Sequence, residues 1–388
     1  MALPSGFTLL QVVPALDAGG VEQTALDVAD AVVAAGGRVI VASSGGRLEP
    51  KLVALGAESI RAPVHSKNPV DIALNALWLQ KLIKRRGVTL VHARSRAPAF
   101  SSQWAARRAG VPFVATYAGV YNARSRLKRW YNGVMTRGDL VIANSAYTRA
   151  HLIAEHGADP DRVVAIPRGI DLDAFDAHAV ADERVTSLRD MWGLDDRPTV
   201  LLAARLTRWK GHTLLLEAAA LLQARGVEAF NMVFVGDAQG RAAYHVELVD
   251  RIARLGLSDR VRLVGHCNDM PAAYLAADLV VAPSLEPEAF GRTAVEPQAM
   301  GRPILAADHG AARETVVDGE TGWLVAPGDA SAWADALEEA LAAGPHAWAR
   351  MGEEGRVRAR DLFSVAAMTR ATLEAYERLL ASSASAAP

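Results

Sequence analysis

One rhythm constrains this chain more than any other feature. Short apolar runs alternate with amphipathic helical stretches, the alternation breaks once, and then it starts again. Phe7–Val13 reads as a buried strand, Gly19–Gly20 interrupts the chain, and Val21–Ala35 carries helical periodicity. Strands are predicted at Arg38–Ala42, Leu90–His92, Pro112–Thr116, Leu140–Ala143 and Val163–Ile166. Helices fall between them at Asn68–Arg86, Ala97–Ala109, Leu127–Thr136 and Ala146–His156. Residues 167–182 show neither period. The rhythm resumes with strands at Thr199–Ala203, Asn231–Val235, Val261–Leu263, Leu279–Val281, Pro303–Ala306 and Trp323–Val325, with helices between and after them. Strands separated by helical crossovers pair in parallel, so the expected fold class is α/β: two Rossmann-like doubly wound domains facing across a cleft. The boundaries expected are 1–168 for the first domain, 169–190 for a linker, 191–364 for the second domain, and 365–388 for a last helix and tail.

A length of 388 residues is more than one core usually grows to, which agrees with two domains. Lys plus Arg (42) and Asp plus Glu (43) nearly cancel, which argues against a globally basic nucleic-acid binder. A single cysteine, Cys267, allows no internal disulfide and no zinc spacing, so a reducing, cytoplasmic setting is expected. No basic segment precedes the first apolar run, and no run approaches the ~18 apolar residues that a membrane span needs.

Ligands of open α/β sheets bind outside the carboxyl ends of the strands, so motifs there matter most. Gly19–Gly20 follows the first strand and opens a helix. Such a turn lets a phosphate approach free backbone N–H groups, or it is simply a tight turn. Arg205 and Lys210 follow the first strand of the second half, where two cations suit a diphosphate leaving group or form a solvated basic loop. Glu288 and Glu296 flank Phe290, Gly291 and Arg292. One carboxylate on a loop and one on the next helix suit a sugar and a ribose diol, or are two surface glutamates. Asp171-Leu172-Asp173 has the look of a metal motif, but it falls in the expected linker, and no metal or other cofactor is expected.

Together, Gly19–Gly20, Arg205-x4-Lys210-Gly211, Gly236-Asp237 and the Glu288-x7-Glu296 motif resemble the retaining glycosyltransferases of GT-B architecture, family 4. The runs at 92–98, 166–171 and 286–292 are similar to those of bacterial lipopolysaccharide-core transferases, some of which use GDP-mannose. The resemblance implies that Gly19 and Gly20 face the donor diphosphate and that Arg205 and Lys210 neutralise it. Glu288, with the backbone of Phe290 and Gly291, would hold the sugar, and Glu296 would hold the ribose. Gly236, Met270 and Arg292 would border the donor, and the last helix would return to the N-terminal half. A GDP- or UDP-linked sugar is the implied co-substrate, and a hexosyl transfer in envelope polysaccharide or lipopolysaccharide synthesis the implied reaction. A nucleotide-sugar epimerase and a binding-only protein are the rival readings.

Two departures stand out. The family commonly carries Thr-x-His-Gly after the strand at 112–116, whereas this chain has Thr116-Tyr117-Ala118-Gly119, which suggests a weak transferase that Ala118→His would improve. Pro297 should delay or bend the helix after Glu296. On the acceptor side, His92 either orients a hydroxyl or makes a structural hydrogen bond. Arg94, Arg96 and Arg124, with neighbouring aromatic residues, suit an anionic saccharide or glycolipid and the inner-membrane surface. Nucleic acid is the weaker reading of that patch.

Overall fold

A computed structural model describes residues 3–17, 19–121 and 125–385, without the side chains of the last two. The chain divides into two compact units, one of residues 1–169 together with the segment from Val365 onward, the other Ile170–Ser364.

The first unit holds seven parallel strands: β1 (Thr8–Val12), β2 (Arg38–Ser43), β3 (Glu58–Arg61), β4 (Leu90–Ala93), β5 (Phe113–Tyr117), β6 (Leu140–Ala143) and β7 (Val163–Ala165). Their order is β3-β2-β1-β4-β5-β6-β7. Residues that alternate along β1 serve opposite faces: Leu10 and Val12 join one apolar cluster and Leu9 the other, so the sheet is covered on both sides. The helix Gly20–Ala34 covers the second face through Ala25, Leu26, Val28, Ala29 and Val32. The helix Val365–Ser385 belongs to this same unit, and buries Met368, Leu373 and Tyr376 in that cluster.

The second unit repeats the plan with six parallel strands, β8 (Thr199–Ala203), β9 (Asn231–Val235), β10 (Val261–Gly265), β11 (Leu279–Ala282), β12 (Ile304–Ala307) and β13 (Gly322–Val325), in the order β10-β9-β8-β11-β12-β13. Both sheets reverse direction at the strand that starts them, as doubly wound sheets do.

Three local expectations change. Residues 170–190 are not an irregular linker: they belong to the second unit and contain the helix Asp182–Met191, whose Arg184 pairs with Asp269 at 2.7 Å. That helix buries no residue fully, so its apolar signal is faint. Helical residues also run from Ala330 to Phe363, broken at Gly344 (φ 74°, ψ 176°) into 330–343 and 345–363. The later helix is rich in charge and glycine, which hides its period. Its glycines have a use, because a Cβ on Gly352 would lie 2.0 Å from Gly301 O. Finally, the helix Arg292–Ala299 begins on time despite Pro297, which occupies its sixth position.

Candidate functional site

In the second unit, the loops that leave the carboxyl ends of the strands are locked to one another by glycines. A Cβ on Gly236, after β9, would sit 1.9 Å from Ala204 O, after β8. One on Gly211 would sit 2.1 Å from Pro283 O, after β11. Leu206 N donates to Asp237 O (3.1 Å) and Leu285 N to Trp209 O (2.6 Å), closing the same contacts. No side chain fits at these crossings.

This framework brings Lys210 and Glu288 together. Lys210 ends a single 3-10 turn, is buried, and donates through Nζ to Glu288 Oε1. Ser284 Oγ donates to the same oxygen at 2.7 Å. The loop after β12 supports them from behind: Ala311 N donates to Glu288 O (3.0 Å), and His309 Nε2 donates to Ser284 O (2.8 Å). Gly310 packs so closely that a Cβ there would be 2.6 Å from Glu288 O. Arg205 stands apart from this cluster, exposed, with Gln239 Oε1 3.4 Å from its guanidinium. The two expected clamp residues therefore differ: one is buried and paired with a carboxylate, the other exposed.

Glu296 is buried on the helix Arg292–Ala299, and both its oxygens are engaged. Tyr274 Oη donates to Oε2 at 2.9 Å, and Arg292 lies 2.7 Å from Oε1. Burial pushes the Glu296 carboxyl above its ordinary value, with Arg292 and Tyr274 opposing. Phe290 packs edge-to-face on Phe363 at 5.7 Å, and Gly291 turns the chain into the helix with φ 86°. Met270 starts the short helix after β10, capped by Asp269, whose Oδ1 accepts from Ala272 N at 3.2 Å.

The first unit places another set at the carboxyl ends of its own strands. Gly19 (φ 152°) precedes the helix Gly20–Ala34. The space a Gly19 side chain would take is held by the Glu22 carboxylate (2.5 Å), and that of Gly20 by the Arg168 guanidinium (2.4 Å). Ala118, Arg94, Asn144 and Arg168 line one small recess. Arg94 is 3% exposed and donates through Nε to Gln11 Oε1 at 2.6 Å. Burial lowers its pKa from the usual guanidinium value, which Tyr376 and Asp27 oppose and Arg168 reinforces.

His92 is corrected. It is fully buried, with Nδ1 2.5 Å from Tyr376 Oη and Nε2 2.6 Å from Thr116 Oγ1, so neither ring nitrogen is left for an acceptor hydroxyl. Desolvation holds it neutral, well below the usual imidazole range. Arg96 is tied up as well: its guanidinium lies 3.9 Å from the Tyr121 ring centre and donates to Asn132 Oδ1 at 2.9 Å. Arg124 lies outside the described residues. Asp171 uses its carboxylate locally, accepting from Asp173 N (3.1 Å) and Ala174 N (3.2 Å). Among the described residues no group of three His, Cys, Asp or Glu side chains is placed to hold a metal. Nor is any helix among them long and apolar enough to cross a membrane.

Sequence reasoning missed His309, Tyr274 and Asn144 as members of these sets, and met Ser284 and Arg168 only inside motif runs, without their partners. Their spacing along the chain carries no signal, because each comes from a different strand end.

Two doubly wound parallel sheets with their charged loops at the strand ends are those of the GT-B architecture. The comparisons with known proteins narrow the class. Residues 186–358 match the family of glycosyl transferases group 1, and residues 18–174 match glycosyltransferase family 4. A D-inositol 3-phosphate glycosyltransferase of Frankia alni is 34% identical over 305 residues, 72% of this chain and 71% of that protein. Other relatives of the same name match over about half their own length (50% and 49%). A glycosyltransferase from Rickettsia africae superposes with a TM-score of 0.88 at 34% identity, covering 97% of this chain and 99% of that one. HepE of Anabaena, solved with UDP, shares the fold at a TM-score of 0.82 and 24% identity, over 96% of this chain and all (100%) of that one. The chain belongs to glycosyltransferase family 4.

Proposed function

We propose that this protein is a retaining hexosyltransferase. It moves a sugar from a nucleotide diphosphate carrier to an anionic saccharide or glycolipid of the cell envelope. The motif resemblance favours mannose from GDP-mannose and a lipopolysaccharide-core acceptor. The UDP complex of HepE keeps UDP-linked hexoses in the donor panel.

The observation that carries this reading is the Lys210–Glu288–Ser284 cluster. Lys210 is held in place before any donor arrives, so its charge needs no reorganisation as negative charge develops on a departing diphosphate. Arg205, exposed, adds the second cation once the donor is bound. Glu288 offers its remaining lone pairs to the sugar hydroxyls, and Glu296 offers its own to the ribose. A phosphate oxygen of the leaving group takes the acceptor proton as the hydroxyl enters from the face it leaves, which retains the anomeric configuration. No protein base is then required.

Peripheral membrane docking belongs to the same proposal. The helix Arg126–Asn132 exposes Leu127 (73%) and Trp130 (56%) beside Arg126, Lys128 and Arg129, a pairing that suits an anionic lipid surface.

Incubation with UDP-glucose, UDP-galactose, GDP-mannose and ADP-glucose, followed by assay of released nucleoside diphosphate and NMR of the product anomeric proton, tests the reaction. Release with one donor and a retained anomer is expected. Binding of a nucleoside diphosphate without turnover on any donor or acceptor would leave only a binding protein.

A further inference from the structure

A buried phenol needs a partner for its hydroxyl, and Tyr274 meets a carboxylate. It lies on the short helix Met270–Leu275, is 1% exposed, and donates through Oη to Glu296 Oε2 at 2.9 Å. The helices of the two residues follow β10 and β11, so this bond ties one strand-end connection to another. Phe175 backs the phenol ring, with the ring centres 6.2 Å apart. Burial and the Glu296 carboxylate push the Tyr274 hydroxyl well above its ordinary range, so it stays a donor.

Glu296 is 8% exposed, and burial of a carboxylate favours its neutral form. Among the described residues, the charged and titratable groups that face it are Arg292 and Tyr274, and both favour the ionised form. They are not equivalent. Arg292 has 45% of its side chain exposed, where water screens the pair. The phenol bond is shielded from water, and a hydrogen bond in such surroundings is stronger. A carboxylate accepts at roughly four lone-pair sites, so these two donors leave about two for a ligand. A vicinal diol brings two hydroxyls.

We infer that Tyr274 is a positioning residue for the donor's ribose: it holds the Glu296 carboxylate in the plane that receives both ribose hydroxyls. Tyr274 itself is too deeply buried to touch the nucleotide. The inference rests on the reading of Glu296 as the ribose carboxylate.

The test uses the full chain in isothermal titration with UDP and GDP, each beside its 2′,3′-dideoxy analogue. The wild type should bind the ribose form of its nucleotide about tenfold or more tighter than the dideoxy form. Tyr274→Phe keeps a ring against Phe175 and removes only the hydroxyl. It should weaken the ribose form about tenfold and change the dideoxy form less than about twofold. Equal weakening of both forms would mark a general loosening and overturn the inference, as would unchanged ribose binding. In a Glu296→Gln background, Tyr274→Phe should cost less than about twofold, because the group it serves is already gone. If Tyr274→Phe alone fails to fold, adding Glu296→Gln should restore the melt, since no buried carboxylate is then short of a donor. Failure to restore it overturns the inference.

A pH profile gives an independent reading. Binding needs the ionised carboxylate, and Tyr274→Phe removes one of the two groups that favour it, so binding should be lost at a higher pH on acidification than in the wild type. Coinciding profiles overturn the inference. A wild-type preference for ribose that survives in Tyr274→Phe overturns this inference alone. Equal wild-type affinity for ribose and dideoxy forms, or binding of neither nucleotide, overturns the donor reading of Glu296 and this inference with it.

Discussion

The two units share one topology and use their strand ends in opposite ways. In the second, the charged groups are already satisfied by each other: Lys210 with Glu288, and Arg292 with Glu296. In the first, Arg94 is buried with an NH2 group that meets no hydrogen-bond partner among the described residues. A site whose charges pair internally is stable when empty. A site with an unpaired buried charge loses stability when empty and regains it from its ligand. The same fold therefore holds one site preassembled and another that depends on what enters it.

The strongest way to break this contrast is through the clamp. Lys210→Ala should lower kcat by roughly 10²–10³, and it should also destabilise the second unit by about 3 kcal/mol, because Glu288 loses a largely buried partner. Arg205→Ala should match it in turnover while shifting stability by only about 0.5 kcal/mol. Turnover on the matched donor and thermal melting of both variants decide it. Equal melting losses would show that Arg205 is as embedded as Lys210.

Ala118→His separates sequence from structure. Sequence reasoning alone expects a gain in turnover from restoring the family histidine. The structure gives the opposite sign, since an imidazole would enter the recess in front of Arg94 and Arg168. A fall in acceptor affinity of about tenfold is expected, read as a raised acceptor KM. Faster turnover would restore the reading of a weakened enzyme.

Glu288→Gln and Glu296→Ala should divide the donor. The first should weaken the nucleotide sugar while sparing the bare diphosphate, and the second should weaken both. Calorimetry with the two ligands shows whether the losses separate; identical losses would mean one undivided pocket.

The smallest effect is one of pH, and its sign differs between the units. His92 has its folded pKa held well below 6.5, so its stabilising contribution is present above that value and is lost as the pH falls through it towards the folded value. Glu296 has its folded pKa raised above 4.5, so its charged form costs stability above the folded value, and the cost fades as acid protonates it. Acidification from neutrality should loosen the first unit through His92 and relieve the second through Glu296. Hydrogen exchange resolved by peptide, compared with His92→Gln and Glu296→Gln, reads the two slopes.

Sheet strands were legible because their apolar runs are short, repeated and bounded by glycine or polar turns. β3 was not, since Glu58–Arg61 is a half-exposed edge strand with a charge at either end. The motif residues of the second unit were legible as well, because Glu288, Phe290, Gly291 and Glu296 lie within one loop and helix. What failed was pairing at a distance. His92, at a strand end, leaves an acceptor contact and a structural hydrogen bond both open until Tyr376, 284 residues later, is found on its ring nitrogen. Arg168 was visible in its run at 166–171, yet nothing in that run shows that it fills the space beside Gly20.

That distant pairing has a consequence for how the molecule is made. The first unit to leave the ribosome is the last to be complete, because Tyr376 and Met368 finish its apolar layer and hold His92 and Gly169 N. Throughout synthesis of the second unit, the nascent first sheet carries an uncovered strip where the helix Val365–Ser385 will lie. Domains usually fold in the order they emerge. Here the second half can close first, and the earlier half must wait for the helix Val365–Ser385.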